Sequence, residues 1–215
     1  MKKTACIVTG GTLSESFLAD YLAGHQESVL IVVDGALKTT HTLGLAPDYI
    51  VGDFDTVDQR LLAFYDEKII LRHPPEKDQT DTELAIETAV AAGCSNLVFF
   101  GATGSRLDHS LANIFLLQGL LLRGIDAVII NENNKLYLKN KNFVIKRKEA
   151  CGDFLSLLPL TETVEGVTLS GFKYPVDNLT FYREKTLGIS NEITEEEAIV
   201  EFKKGIFIVV ESRDK

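Results

Sequence analysis

The sequence predicts α/β followed by all-β: an N-terminal parallel-sheet, Rossmann-like α/β domain over residues 1–139 and a C-terminal β-sandwich domain over residues 140–215. Three observations carry this expectation. As far as Asn131, short and near-continuously apolar runs alternate with helical patterns, as expected of strands buried on both faces of a parallel sheet. Asn131–Asn142 is then rich in Asn and Lys, a composition typical of an exposed connection. Beyond it only strand-like runs remain, with turn residues at intervals near ~10 residues, a spacing that suits a sandwich or a barrel. The sandwich is the expectation taken.

In chain order, the first-half strands are expected at Thr4–Thr9, Val29–Val33, Tyr49–Val51, Leu97–Phe100 and Ala127–Ile130. Helices are expected near Ser14–Ala23, Val57–Tyr65, Thr80–Ala92 and Asp108–Arg123. Gly24, Gly93 and Gly124 sit where helix C-caps belong. The second-half runs are Phe143–Lys146, Phe154–Leu158, Thr163–Leu169, Asn178–Tyr182, Ile199–Phe202 and Ile206–Val210. Gly152, Pro159, Gly171, Pro175, Gly188 and Gly205 punctuate them.

Composition removes whole classes of function. With 45% apolar residues among 215, the chain is an ordinary globular protein. A net charge of −9 argues against a general nucleic-acid partner, which needs a basic footprint. Cys6, Cys94 and Cys151 are odd in number and lack C-x-x-C spacing, so neither a disulfide scaffold nor a thiolate zinc site is expected. The longest apolar stretch, Leu111–Leu122, falls short of the ~20 residues of a membrane span. The run after Lys3 stops at Gly10-Gly11, too soon for a signal peptide. A cytoplasmic protein without membrane contact is the expectation.

The acids are unevenly placed: eleven against five bases between Asp34 and Glu83. The sharpest segment is Pro47-Asp48-Tyr49-Ile50-Val51-Gly52-Asp53-Phe54-Asp55-Thr56. In an extended backbone, residues two apart share a face, so Asp53 and Asp55 would converge with Phe54 turned away. Two such carboxylates repel unless a cation lies between them, and oxygen-only ligands favour Mg²⁺ or Mn²⁺. A solvated Asp-rich turn uses the same residues. In Lys77-Asp78-Gln79-Thr80-Asp81-Thr82-Glu83, capping-box spacing puts Asp81 in the first turn of a helix. There it either favours the helix dipole or adds a third carboxylate to the pair. Gly101-Ala102-Thr103-Gly104-Ser105-Arg106-Leu107-Asp108-His109 lies between a buried strand and a long helix. Its glycines and the helix start suit an anion, and Arg106 suits phosphate oxygens. Asp108 either caps that helix or joins His109 in a site. Gly10-Gly11-Thr12 is a weaker cradle of the same kind. Ser170-Gly171-Phe172-Lys173-Tyr174-Pro175 and Leu187-Gly188-Ile189-Ser190-Asn191-Glu192 join Gly to polar side chains, the first with an aromatic face that can stack on a flat ligand.

Taken in order, and with Asp34-Gly35, these segments resemble the thiamine pyrophosphokinase family over nearly the whole chain. The resemblance implies transfer of a diphosphate group from ATP to the hydroxyl of thiamine, giving thiamine diphosphate and AMP. It implies that Asp53, Asp55 and Asp81 bind Mg²⁺ with the ATP phosphates and that Asp34 supports them. Lys77, Arg106, Asp108 and His109 would flank the nucleotide or the reacting group. Asp81 or Asp108 would accept the alcohol proton. Ser170, Tyr174, Ser190 and Asn191 fall in the segments that hold thiamine. A homodimer is implied, its sites built between the catalytic half of one chain and the β half of the other. The family often has a further Gly where this chain has Ala36, and Trp where it has Tyr174. Two other readings meet the same residues: a diphosphokinase for another hydroxymethyl heterocycle such as a pterin, and a non-catalytic binding protein with a lectin-like β domain.

Overall fold

The computed structural model describes residues 2–55, 57–74, 76 and 78–214, and the chain divides into two compact units, Met1–Glu132 and Asn133–Lys215. In the first unit the apolar runs become parallel strands: β1 Thr4–Val8, β2 Val29–Val33, β3 Tyr49–Gly52, β4 Ile70–Arg72, β5 Asn96–Phe100 and β6 Asp126–Ile130. Their spatial order is β4-β3-β2-β1-β5-β6, every neighbouring pair parallel. Full burial of Val29-Leu30-Ile31-Val32-Val33 explains why this strand shows no polar alternation. The helices are α1 Glu15–Ala23, α2 Ala36–Thr42, α3 Gln59–Leu62, α4 Asp81–Ala91 and α5 Leu107–Leu122. Cys6, Val8, Leu30, Val32, Ile50, Val98 and Phe100 build a core cluster from the sheet, joined by Leu18 of α1 and Leu37 of α2.

Several expectations change. Of the helix foreseen over Val57–Tyr65, only Gln59–Leu62 forms, started by Asp58, whose side chain accepts from the Arg60 N–H. Strand β4 and helix α2 were not foreseen. The first is three residues long, and the second buries only Ala36, Leu37 and Thr40, too little pattern to read against its Thr-rich remainder. Gly93 and Gly124 take left-handed φ values of 81° and 73° after their helices, whereas Gly24 closes α1 with a right-handed φ of −82°.

The second unit contains β7 Asn134–Lys139, β8 Phe143–Lys146, β9 Phe154–Pro159, β10 Thr163–Ser170, β11 Val176–Tyr182, β12 Glu197–Glu201 and β13 Phe207–Ser212. The Asn- and Lys-rich segment read as a connection is thus largely strand β7, and the division between the units falls at Glu132/Asn133, not at 139/140. Pairing with β13 offsets the weak strand preference of Asn and Lys. Strand β13 runs antiparallel to β7 and to β9, and a second antiparallel sheet has the order β11-β10-β12-β8. One apolar cluster draws on both: Leu155, Leu157, Phe207 and Val209 meet Val164, Val167, Leu169, Phe181 and Val200. Among the described residues no helix is long and apolar enough to cross a membrane.

Candidate active site

The order of the first sheet reverses between β1 and β5, since β2, β3 and β4 continue to one side and β6 to the other. Loops leaving the carboxyl ends of two such strands part, and open α/β sheets take ligands in the crevice between them. Here the two loops meet backbone to backbone. The Gly11 N–H donates to the Gly101 carbonyl at 2.8 Å, and the Thr12 N–H to the Thr103 carbonyl at 2.8 Å. A Cβ on Gly11 would lie 2.2 Å from the Gly101 oxygen, so only glycine permits this approach.

A cavity of about 600 Å³ is lined by both loops and by Asp34, Asp53, Thr80, Asp81, Arg106 and His109. That is a usual size for a small-ligand site. Asp34 follows β2 with a left-handed φ of 42°, and its N–H donates to the Val51 carbonyl at 2.9 Å. Its Oδ1 is buried. At the end of β3, a Cβ on Gly52 would lie 3.1 Å from the Asp34 Cβ, so the glycine lets Asp34 approach. Two residues on, Phe54 takes a φ of 59° and is 2% exposed in the core. An aromatic residue held left-handed is a local strain of the kind that gathers at functional sites.

Asp53 and Asp55 do converge, though through this turn rather than through extended backbone: the Asp55 N–H donates to Asp53 Oδ1 at 3.2 Å. Asp34, Asp53 and Asp55 offer oxygens that all lie within 4.8 Å of one another. The resemblance implies Asp81 as the third carboxylate with Asp34 in support, whereas it is Asp34 whose oxygen lies with those of Asp53 and Asp55. Asp81 is instead the first residue of α4, behind the N-cap Thr80, whose hydroxyl accepts from the Glu83 N–H at 3.3 Å, and it lines the same cavity. A six-coordinate hard cation at ~2.1 Å sets neighbouring ligand oxygens about 3 Å apart and opposite ones about 4 Å apart, so three oxygens within 4.8 Å need only small side-chain shifts to close on Mg²⁺ or Mn²⁺.

Asp108 does not cap α5: the N-cap is Arg106 and Asp108 is the second helical residue. Arg106 donates through Nε to Asp108 Oδ1 at 3.2 Å and through Nη2 to Oδ2 at 2.6 Å, a bidentate pair that aims the guanidinium. Arg106 and His109 line the cavity. The Arg106 guanidinium, then the His109 N–H, draw the Asp108 carboxyl down to about 2. It therefore stays ionised from neutral pH down to that value and is a poor proton acceptor. Whatever stability this exposed pair adds is complete above the ordinary value of 3.8 and is lost as pH falls through about 2. In carboxyl-carbon NMR titration, Arg106→Ala is expected to return the Asp108 midpoint towards 3.8, and a wild-type midpoint already near that value would contradict the pairing.

In the second unit a cavity of about 310 Å³ is lined by Leu169, Tyr174, Phe181, Leu187 and Asn191 among others. Tyr174 is 60% exposed, leaving its ring accessible. Asn191 is buried, and its carboxamide serves the backbone: Oδ1 accepts from the Tyr174 N–H at 3.0 Å and the Glu192 N–H at 3.0 Å, while Nδ2 donates to the Tyr174 carbonyl at 2.9 Å. It holds the Tyr174 loop in place. Ser170 ends β10, and Ser190, with a φ of 53°, donates its N–H to Ser156 Oγ at 3.0 Å; neither lines this cavity. Lys77 lies outside the described residues. Sequence reasoning missed Ser110 and Asn113, which line the first cavity from α5. The available signal was two polar residues at helical spacing inside an apolar helix.

Both halves of the chain match known proteins. The family model for the thiamin pyrophosphokinase catalytic domain matches residues 22–129, and that for the thiamin pyrophosphokinase vitamin B1 binding domain matches residues 142–207. The chain is 32% identical to thiamine pyrophosphokinase of Bacillus subtilis (strain 168), across 99% of this chain and 100% of the relative. The crystal structure of a B. subtilis thiamine pyrophosphokinase superposes with a TM-score of 0.87 at 31% identity, covering 99% of this chain and 100% of that one. The Geobacillus thermodenitrificans structure gives 0.84 at 30% identity, with coverage of 99% and 98%. The yeast structure shares the fold at a TM-score of 0.77 and 17% identity, covering 98% of this chain and 86% of that one.

Proposed function

The chain belongs to the thiamin pyrophosphokinase family, and from that premise we propose how its residues move a diphosphate group from ATP to the hydroxyl of thiamine, leaving AMP. The observation that carries the proposal is the trio Asp34, Asp53 and Asp55, with oxygens within 4.8 Å of one another, at a cavity that also holds Asp81 and Arg106. The trio would hold Mg²⁺, which when bound offsets the charge on the phosphate oxygens. Transfer of this kind depends mainly on positioning and charge compensation. Arg106, aimed by Asp108, binds phosphate oxygens as the attacking and leaving oxygens come into line, and His109 borders the same volume. Asp108 has both carboxylate oxygens engaged by Arg106, so we assign acceptance of the thiamine hydroxyl proton to Asp81, which lines the cavity. Lys77 we assign to the nucleotide by resemblance.

In the same reading the first unit, Met1–Glu132, forms a Rossmann-like catalytic domain, an assignment supported by its strand order. The second unit, Asn133–Lys215, forms a thiamine-holding β-sandwich, supported by the apolar cluster that draws on both of its sheets. Tyr174 stacks on the flat vitamin, Asn191 holds the Tyr174 loop for it, and Ser170 and Ser190 we assign to the thiamine segments by resemblance. The enzyme works as a cytoplasmic homodimer; a sedimentation mass near the chain's own 23.7 kDa at micromolar concentration would overturn the dimer. Incubation with ATP, Mg²⁺ and thiamine is expected to yield AMP and thiamine diphosphate in equal amounts by mass spectrometry. ADP in place of AMP, or no product on thiamine, would sink the reading.

A further inference from the structure

The loop between β5 and α5 carries Arg106, yet it contains two glycines and no regular structure, so something outside it must hold its shape. Two side chains of α5, one helical turn apart, do so. Asn113 Nδ2 donates to the Ala102 carbonyl at 2.7 Å. Ser110 Oγ accepts from the Gly104 N–H at 3.1 Å and donates to the Arg106 carbonyl at 3.0 Å. The bond from Ser110 to the carbonyl four residues back is ordinary helix behaviour. The bond from Gly104 is not, because it folds the loop over the helix start. Ser110 is only 9% exposed, which leaves water little access to replace its hydroxyl.

We propose that Ser110 and Asn113 are positioning residues that hold this loop, before substrate arrives, in the shape that receives the nucleotide's phosphates. The inference rests on the diphosphokinase reading above and deepens it. Neither side chain needs to touch the reacting atoms. Without them the Gly104 N–H and the Ala102 carbonyl lose their partners, and the loop must be ordered at the expense of nucleotide binding. The thiamine side has no such dependence.

The test measures steady-state kinetics and melting temperature for wild type, Ser110→Ala and Asn113→Ala, with calorimetric titration of α,β-methylene-ATP in the presence of Mg²⁺. The expected result in each variant is a rise of about tenfold in KM for ATP and in Kd for the analogue, with KM for thiamine within about twofold of wild type. Unchanged nucleotide binding, an equal rise in both KM values, or a fall in kcat tracking lost thermal stability with both KM values intact would each overturn the proposal. Failure of wild type itself to bind the analogue or to release AMP would instead remove the diphosphokinase reading, and the positioning role with it.

Discussion

Asp53→Asn is expected to lower kcat by at least about a hundredfold while the protein stays folded, the scale seen when one charge-stabilising group is removed from an active site. The physical ground is the crowding of Asp34, Asp53 and Asp55, whose oxygens come within 4.8 Å of one another. Three carboxylates so close repel one another, and a divalent cation reverses the sign of that interaction. Two thermal-shift outcomes should therefore accompany the loss of turnover. In EDTA the variant melts no lower than wild type, because neutralising one member relieves repulsion. On adding Mg²⁺, wild type gains stability by mass action and the variant gains much less. Near-normal kcat in the purified variant, or an undiminished Mg²⁺-dependent rise in melting temperature, would overturn the metal assignment.

Gly11→Ala is expected to cost roughly 2–3 kcal/mol and most of the activity, because the new methyl would have to displace backbone rather than a mobile side chain. It would meet the Gly101 oxygen at 2.2 Å and the Thr103 oxygen at 2.4 Å, the two carbonyls through which the loops after β1 and β5 join. For a domain of this size the loss corresponds to a fall of about 5–10 °C in melting temperature. Gly10→Ala is the matched control: a Cβ there meets nothing within 4 Å, so its melting temperature should stay close to wild type. Equal melting temperatures for the two variants would show that the loops are not locked together as described.

What was legible in the sequence divides along physical lines. Strands β1, β2, β3 and β5 were readable because burial on both faces demands unbroken apolar runs, as in Val29–Val33. Helix α4 was readable from Thr80, whose capping bond is local. Strand β7 was hidden because Asn134–Lys139 owes its conformation to a partner some seventy residues away in β13. The turn at Asp53-Phe54-Asp55 was foreseen as a place of convergence but for the wrong reason, since nothing local announces a left-handed Phe54. That conformation persists because its ring fills the core.

Alone, the order of residues determined the α/β-then-β plan and which carboxylates, Arg and Tyr were available for chemistry, since helix caps and buried strands are written in neighbouring positions. Tertiary structure decided their partnerships. Asp34 rather than Asp81 completes the trio because β2 and β3 lie side by side, with Gly52 sparing the space between them. Asp108 serves Arg106 and Asn191 serves Tyr174 because hydrogen bonds depend on distance in space, which chain order does not specify.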